Sequence, residues 1–167
     1  MTEKLDEIPS WIESLNNQKD RAALQAEKAT KRQLEDAAIV STRSSEFWKE
    51  LVDRLGVNVK ALPQLKGEEL VGSISHETGP SEHRCYIGVN RQSVQHGPEL
   101  SWLNLFYRPG ATIIRRWYMN EDIGGIELAR YGDEVRAIIS GKPKTAQELA
   151  DLIVRWMADR VKANRRG

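Results

Sequence analysis

The sequence predicts an α+β fold: an antiparallel meander sheet of about six strands, preceded by a long N-terminal helix and followed by a C-terminal helix packed on one face. Three observations lead there. Residues 10–55 contain neither proline nor glycine. Residues 70–140 divide into short runs rich in β-branched and aromatic side chains, joined by turn residues too close together to hold crossover helices. Residues 145–164 return to apolar spacings of three and four. A chain of 167 residues is long enough to bury a sizeable core without staples, and 1–167 reads as a single domain.

The first helix starts at a capping box, Ser10 with Glu13, just after Ile8-Pro9, and Gly56 offers a stop. Its two halves differ. Residues 16–33 are polar and alanine-rich, with Leu24 the one large apolar side chain and a thin stripe of Ala22, Ala26 and Ala29. Residues 34–55 are amphipathic, through Leu34, Ala37, Ala38, Ser41, Trp48, Leu51, Val52 and Leu55. Unbroken, 10–55 would span about 69 Å at ~1.5 Å per residue, whereas a compact chain of this size is roughly 40 Å across. Two solutions fit. The helix breaks between Ser41 and Ser45, with Ser44 or Ser45 recapping and Glu46 in the new first turn, an arrangement the adjacent serines favour. Alternatively the alanine-rich half is an arm that calls for a partner, because so thin a stripe buries little by itself.

Strands are expected at 70–77, 83–91, 100–107, 112–119, 124–131 and 134–140, separated by TGPS, QHGPE, Pro109-Gly110, NEDIG and Gly132-Asp133. The last helix opens on a second capping box, Thr145 with Glu148, and carries Leu149, Leu152, Ile153, Trp156, Met157 and Val161 as its apolar stripe. A sheet followed by an amphipathic helix bearing Trp156 resembles the pleckstrin-homology-like barrels, a likeness of fold that implies no activity.

Composition narrows the function classes. No apolar run approaches the ~20 residues of a membrane-spanning helix, so no membrane role is expected. The polar start MTEKLDEIPS is unlike a secretory leader, and the single Cys85 suits a reducing compartment, so the cytoplasm is the expected location. The net charge of +1 speaks against polyanion binding by the molecule as a whole. Residues 141–167 do carry seven basic against three acidic side chains. Cations are favoured at any helix C-terminus, so weak nucleic-acid binding through this basic end ranks third among the functional readings.

Two clusters could carry chemistry. In FYRPGATIIRRWYMN (106–120), a two-residue Pro-Gly turn would set Tyr107 opposite Thr112 and Trp102 opposite Trp117. Alternation then puts Arg115 and Trp117 on one face with Trp102, Asn104 and Phe106, and Arg116 and Tyr118 on the other. Whichever face the helices leave open would offer an arginine among aromatics, suited to stacking bases or gripping a carboxylate. A Pro-Gly turn is type II and matches strand twist poorly, so a longer loop that shifts this register by one residue is also consistent. The second cluster is His76, His83 and Cys85. A TGPS loop would place His76 opposite His83 and Glu77 opposite Glu82, with Cys85 on the histidine face, a set that could hold zinc. Its spacing matches no metal motif, so no metal or other cofactor is expected. Dinucleotide, phosphate-loop, nucleophile-elbow and zinc-helix motifs are all missing. With no convergent catalytic set, the leading expectation is a non-enzymatic module that binds a protein partner, or a second copy of itself, through the N-terminal helical arm. The alternative is a ligand or metal site on the open sheet face or near His76, His83 and Cys85.

Overall fold

A computed structural model describes residues 8–92 and 101–163. It contains helix α1 (Ser10–Ala61), a short 3-10 helix (Leu62–Gln64), strands β1 (Leu70–Thr78), β2 (His83–Arg91), β3 (Ser101–Tyr107), β4 (Ile113–Tyr118), β5 (Glu121–Tyr131), β6 (Glu134–Ile139) and β7 (Lys142–Lys144), and helix α2 (Ala146–Ala163). The chain forms two compact units, Met1–Asp36 and Ala37–Gly167.

In the first unit the described residues are helical from Ser10 and none is buried. Trp11 is 65% exposed and Leu15 47%. In the second unit the seven strands form one antiparallel sheet in chain order, β1 to β7, with β1 and β7 as its edges. The sheet is therefore open, and the α+β meander stands with one strand more than the turn signals suggested. The extra strand is Lys142-Pro143-Lys144, which follows a tight turn in which Ser140 and Gly141 both have positive φ. A short, polar strand with proline at a sheet edge leaves no hydrophobic run to read.

One face of the sheet makes the core. Strand β3 alternates strictly, burying Ser101, Leu103, Leu105 and Tyr107. Cys85, Ile87, Val89, Ile114, Ile126, Leu128, Val135 and Ala137 continue that face. Against it lie Phe47, Trp48, Leu51, Val52, Leu55 and Val59 from α1, and Leu149, Ile153, Met157 and Val161 from α2. Leu152, placed in the apolar stripe by spacing, is 42% exposed, and Ala150, Val154 and Ala158 are buried in its stead. Close approach has a local requirement at Gly72, where a Cβ would come within 2.7 Å of Val59 Cγ1.

Two expectations about α1 are corrected. The helix does not break between Ser41 and Ser45. Its hydroxyls are used in ways other than capping: Thr42 Oγ1 donates to the Ala38 carbonyl at 2.8 Å, and Ser44 is fully buried with its Oγ against the Tyr107 hydroxyl. Nor does it stop at Gly56. It continues to Ala61, where Pro63, lacking an N–H and crowding the preceding turn, ends it.

The C-terminal capping box forms as the sequence indicates. The Glu148 amide donates to Thr145 Oγ1 at 3.1 Å, and the Thr145 amide donates to Glu148 Oε1 at 3.2 Å. These bonds with Thr145 hold the Glu148 carboxyl below its usual pKa. Its contribution is therefore present above that usual value and fades as the pH falls through the lowered one. Replacing Thr145 with alanine is expected to cost about 1 kcal/mol. A urea melt that shifts by less than a few tenths would show that the cap does not hold α2.

Candidate functional site

The register of the β3–β4 hairpin decides what each face presents. Arg108-Pro109-Gly110-Ala111 closes with the Ala111 amide on the Arg108 carbonyl at 2.8 Å, and Gly110 has φ +82°, a type II turn. Such a turn fits strand twist poorly, so the strands part earlier and the connection runs from 108 to 112. Phe106 then pairs with Arg115, Asn104 with Trp117 and Leu103 with Tyr118. Relative to a two-residue turn the register has moved by two positions, so Trp102 does not face Trp117 and Tyr107 does not face Thr112. A shift of two preserves side-chain parity. Arg115 and Trp117 lie on the open face with Trp102, Asn104 and Phe106, and Arg116 and Tyr118 on the covered one.

The covered pair is tied into the α2 side of the core. Arg116 donates through Nη2 to the Ile123 carbonyl at 3.2 Å and through Nε to the Gly124 carbonyl at 3.3 Å. Burial lowers its pKa. It borders a cavity of about 250 Å³ with Ile126, Ile139, Leu149, Ile153 and Trp156. Tyr118 meets Trp156 edge-on at 4.7 Å and accepts from Ser101 Oγ at 3.2 Å, and the Arg160 guanidinium covers the other ring at 4.8 Å. These are packing roles, with every group spoken for.

The open face is different. Asn104 has Tyr86 and Trp117 as its cross-strand neighbours, and Trp102 and Phe106 two residues away on its own strand. Four half-buried aromatic side chains thus surround one amide. Among the described residues that amide has no hydrogen-bond partner. Tyr86 and Trp102 stack with centroids 6.1 Å apart, and the Arg84 guanidinium lies 5.4 Å from the Phe106 centroid. Arg84 is shared with Glu82 at 3.4 Å and faces Glu77 across the strands. Arg115, on the other side of Phe106, is exposed and has no ion pair among the described residues. Gly125 opposes it, so no β5 side chain stands beside the guanidinium at that level. Alternation in 83–91 marks Arg84 and Tyr86 as a pair of like parity, but only the β2–β3 register brings them to Asn104.

The His76, His83 and Cys85 cluster also changes. The connection occupies residues 79–82, closed by the Gly79 amide on the Glu82 carbonyl at 3.0 Å. The pairs are His76 with Cys85, Glu77 with Arg84 and Thr78 with His83, so neither the two histidines nor the two glutamates oppose one another. All three candidate ligands still share the covered face. Cys85 is 0% exposed and burial pushes its thiol up to about 12, so it stays protonated where a metal would need thiolate. Among the described residues no three His, Cys, Asp or Glu side chains are placed to hold a metal ion. His76 and His83 instead line a cleft of about 350 Å³ with Ser45, Trp48, Lys49 and Asp53 of α1. Among the described residues no hydrogen bond joins these polar groups into a relay.

No helix among the described residues is long and apolar enough to cross a membrane. No protein-family model, curated protein or solved structure matches the chain.

Proposed function

We propose that the protein is a non-enzymatic self-association module and that residues 8–33 are its interface, pairing antiparallel with the same residues of a second copy. The observation that carries this reading is that Ile8, Ile12, Leu15, Ala22, Ala26 and Ala29 recur at the spacing of a helix seam, yet no described residue of this segment is buried. Even an alanine-rich helix is marginal in isolation, and most helical stability comes from a packed face.

The seam is built for an antiparallel mate. Its positions 8, 12, 15, 19, 22, 26, 29 and 33 are symmetric about their middle. Antiparallel pairing sets Ile12 against Ala29 and Leu15 against Ala26, large into small, whereas a parallel dimer stacks alanine on alanine and leaves voids. Charge agrees. Residues 8–20 carry two acidic and one basic side chain, and residues 21–33 four basic and one acidic, so antiparallel copies put opposite signs together.

Light scattering on the full chain is expected to show a dimer that weakens with salt. Ile12→Glu buries a charge twice in that dimer and should raise its dissociation constant by roughly 100-fold or more. Ile12→Cys and Ala29→Cys proteins should cross-link when mixed but not alone, because each thiol faces the other's position. A monomer at tens of micromolar would end the self-association reading, and homodimeric disulfides at both positions would end the antiparallel one. A second reading, ligand binding on the open sheet face, is favoured by the arrangement around Asn104.

A further inference from the structure

We propose that the open sheet face around Asn104 binds a base-plus-phosphate unit, with a base stacked on the aromatic cluster, the Asn104 amide on the base edge and the phosphate on Arg115. This is independent of the helical interface. Each part of the site asks for one part of that ligand. The rings of Tyr86, Trp102, Phe106 and Trp117 stand on a sheet surface rather than in a core, and a flat π-system is what such rings stack against. Asn104 offers a donor and an acceptor side by side, the pattern that reads a nucleobase edge, and it has no partner among the described residues to compete. On this face Arg115 is the guanidinium without a carboxylate partner among the described residues, one strand from Phe106 and diagonal to Asn104. A neutral sugar would leave its charge unmatched.

The carboxylates of the face set the limit. Glu82 pairs with Arg84, Glu77 faces it across the strands, and Glu127 and Asp122 lie opposite Ile113 and Trp117 on β5. The face therefore carries no net positive charge, and Arg115 offers it one cationic contact, enough for a single phosphate. Binding by stacking with one phosphate contact is compatible with a chain whose net charge is only +1. It also predicts an unusually shallow salt dependence. For a single strand the slope of log K against log salt should be about −0.7, against several times that for a basic groove.

The test is fluorescence anisotropy of the full-length protein with a labelled oligothymidylate or oligoadenylate of about twelve residues, competed by the free mononucleotides. Saturable binding with the shallow slope is expected, weakened about 10-fold or more by Trp117→Ala and several-fold by Arg115→Gln. Arg165→Ala and Arg166→Ala together should leave it unchanged. Competition by mononucleotide at the oligonucleotide's own affinity assigns a free nucleotide as the ligand. A steady gain with strand length assigns a single strand. Both outcomes uphold the site. Absence of binding at low ionic strength, binding untouched by either face substitution in proteins whose melts match the wild type, or preference for a neutral oligosaccharide over both would overturn it.

Discussion

Replacing Tyr107 with alanine is expected to destabilise the Ala37–Gly167 unit by about 3–5 kcal/mol, the range for truncating a buried aromatic. Tyr107 is fully buried at the end of β3, stacked on Trp48 at 5.3 Å and met edge-on by His83 at 5.8 Å. Its hydroxyl also gathers polar groups from two elements. Ser44 Oγ lies at 2.5 Å, Ser45 Oγ at 3.2 Å, and the Gly110 amide donates to it at 3.2 Å. Tyr107→Phe isolates that part. It leaves the fully buried Ser44 hydroxyl with only a long 3.5 Å bond to the Ser41 carbonyl and should cost roughly 1–3 kcal/mol, partly recovered when Ser44→Ala is added. Urea denaturation of the four proteins in the cycle measures the coupling. A Tyr107→Phe cost within error of zero would mean that the hydroxyl does not join α1 to the hairpin.

The second large effect is alkaline. Burial raises the Cys85 thiol from an ordinary 9.0 to about 12. The unfolded chain therefore loses this proton first as the pH rises. Stability from the buried neutral thiol is complete below pH 9.0 and is lost on the way to about 12. At most it amounts to about 4 kcal/mol, since one unit is worth about 1.4. The quantity to compare is the wild-type decline against that of Cys85→Ala, since every other contribution is common to the two. The variant should lose stability less steeply there. Parallel declines would show that the thiol ionises without unfolding. At pH 8, alkylation of the native protein should proceed only as fast as the chain opens, because the thiol is 0% exposed.

Much of the architecture was legible because local signals agreed. Pro-Gly and Gly-Asp turns at short intervals left room only for a meander, and the Thr145–Glu148 box marked the last helix start. Where local signals were weak, tertiary contacts prevailed. A serine cap near residue 44 is worth about 1 kcal/mol. Keeping the helix intact holds Val40 on the same buried face as Phe47, Trp48 and Leu51, at roughly 1.5–3 kcal/mol for a large side chain, and sets Ser44 Oγ against the Tyr107 hydroxyl. That difference carries α1 through the serines. Likewise β7 is too short and polar to announce itself and exists because β6 offers it a partner.

The candidate site divides the same way. That Arg115 and Trp117 share a face, opposite Arg116 and Tyr118, follows from sequence alone, because successive side chains on a strand alternate and a register error of two leaves that parity intact. Which of the two faces stays open, and that Tyr86 and Arg84 join Trp102, Asn104 and Phe106 there, depended on helix packing and strand pairing between residues distant in the chain. Periodicity is a property of one strand, whereas a platform is a property of several, and only their pairing assembles it.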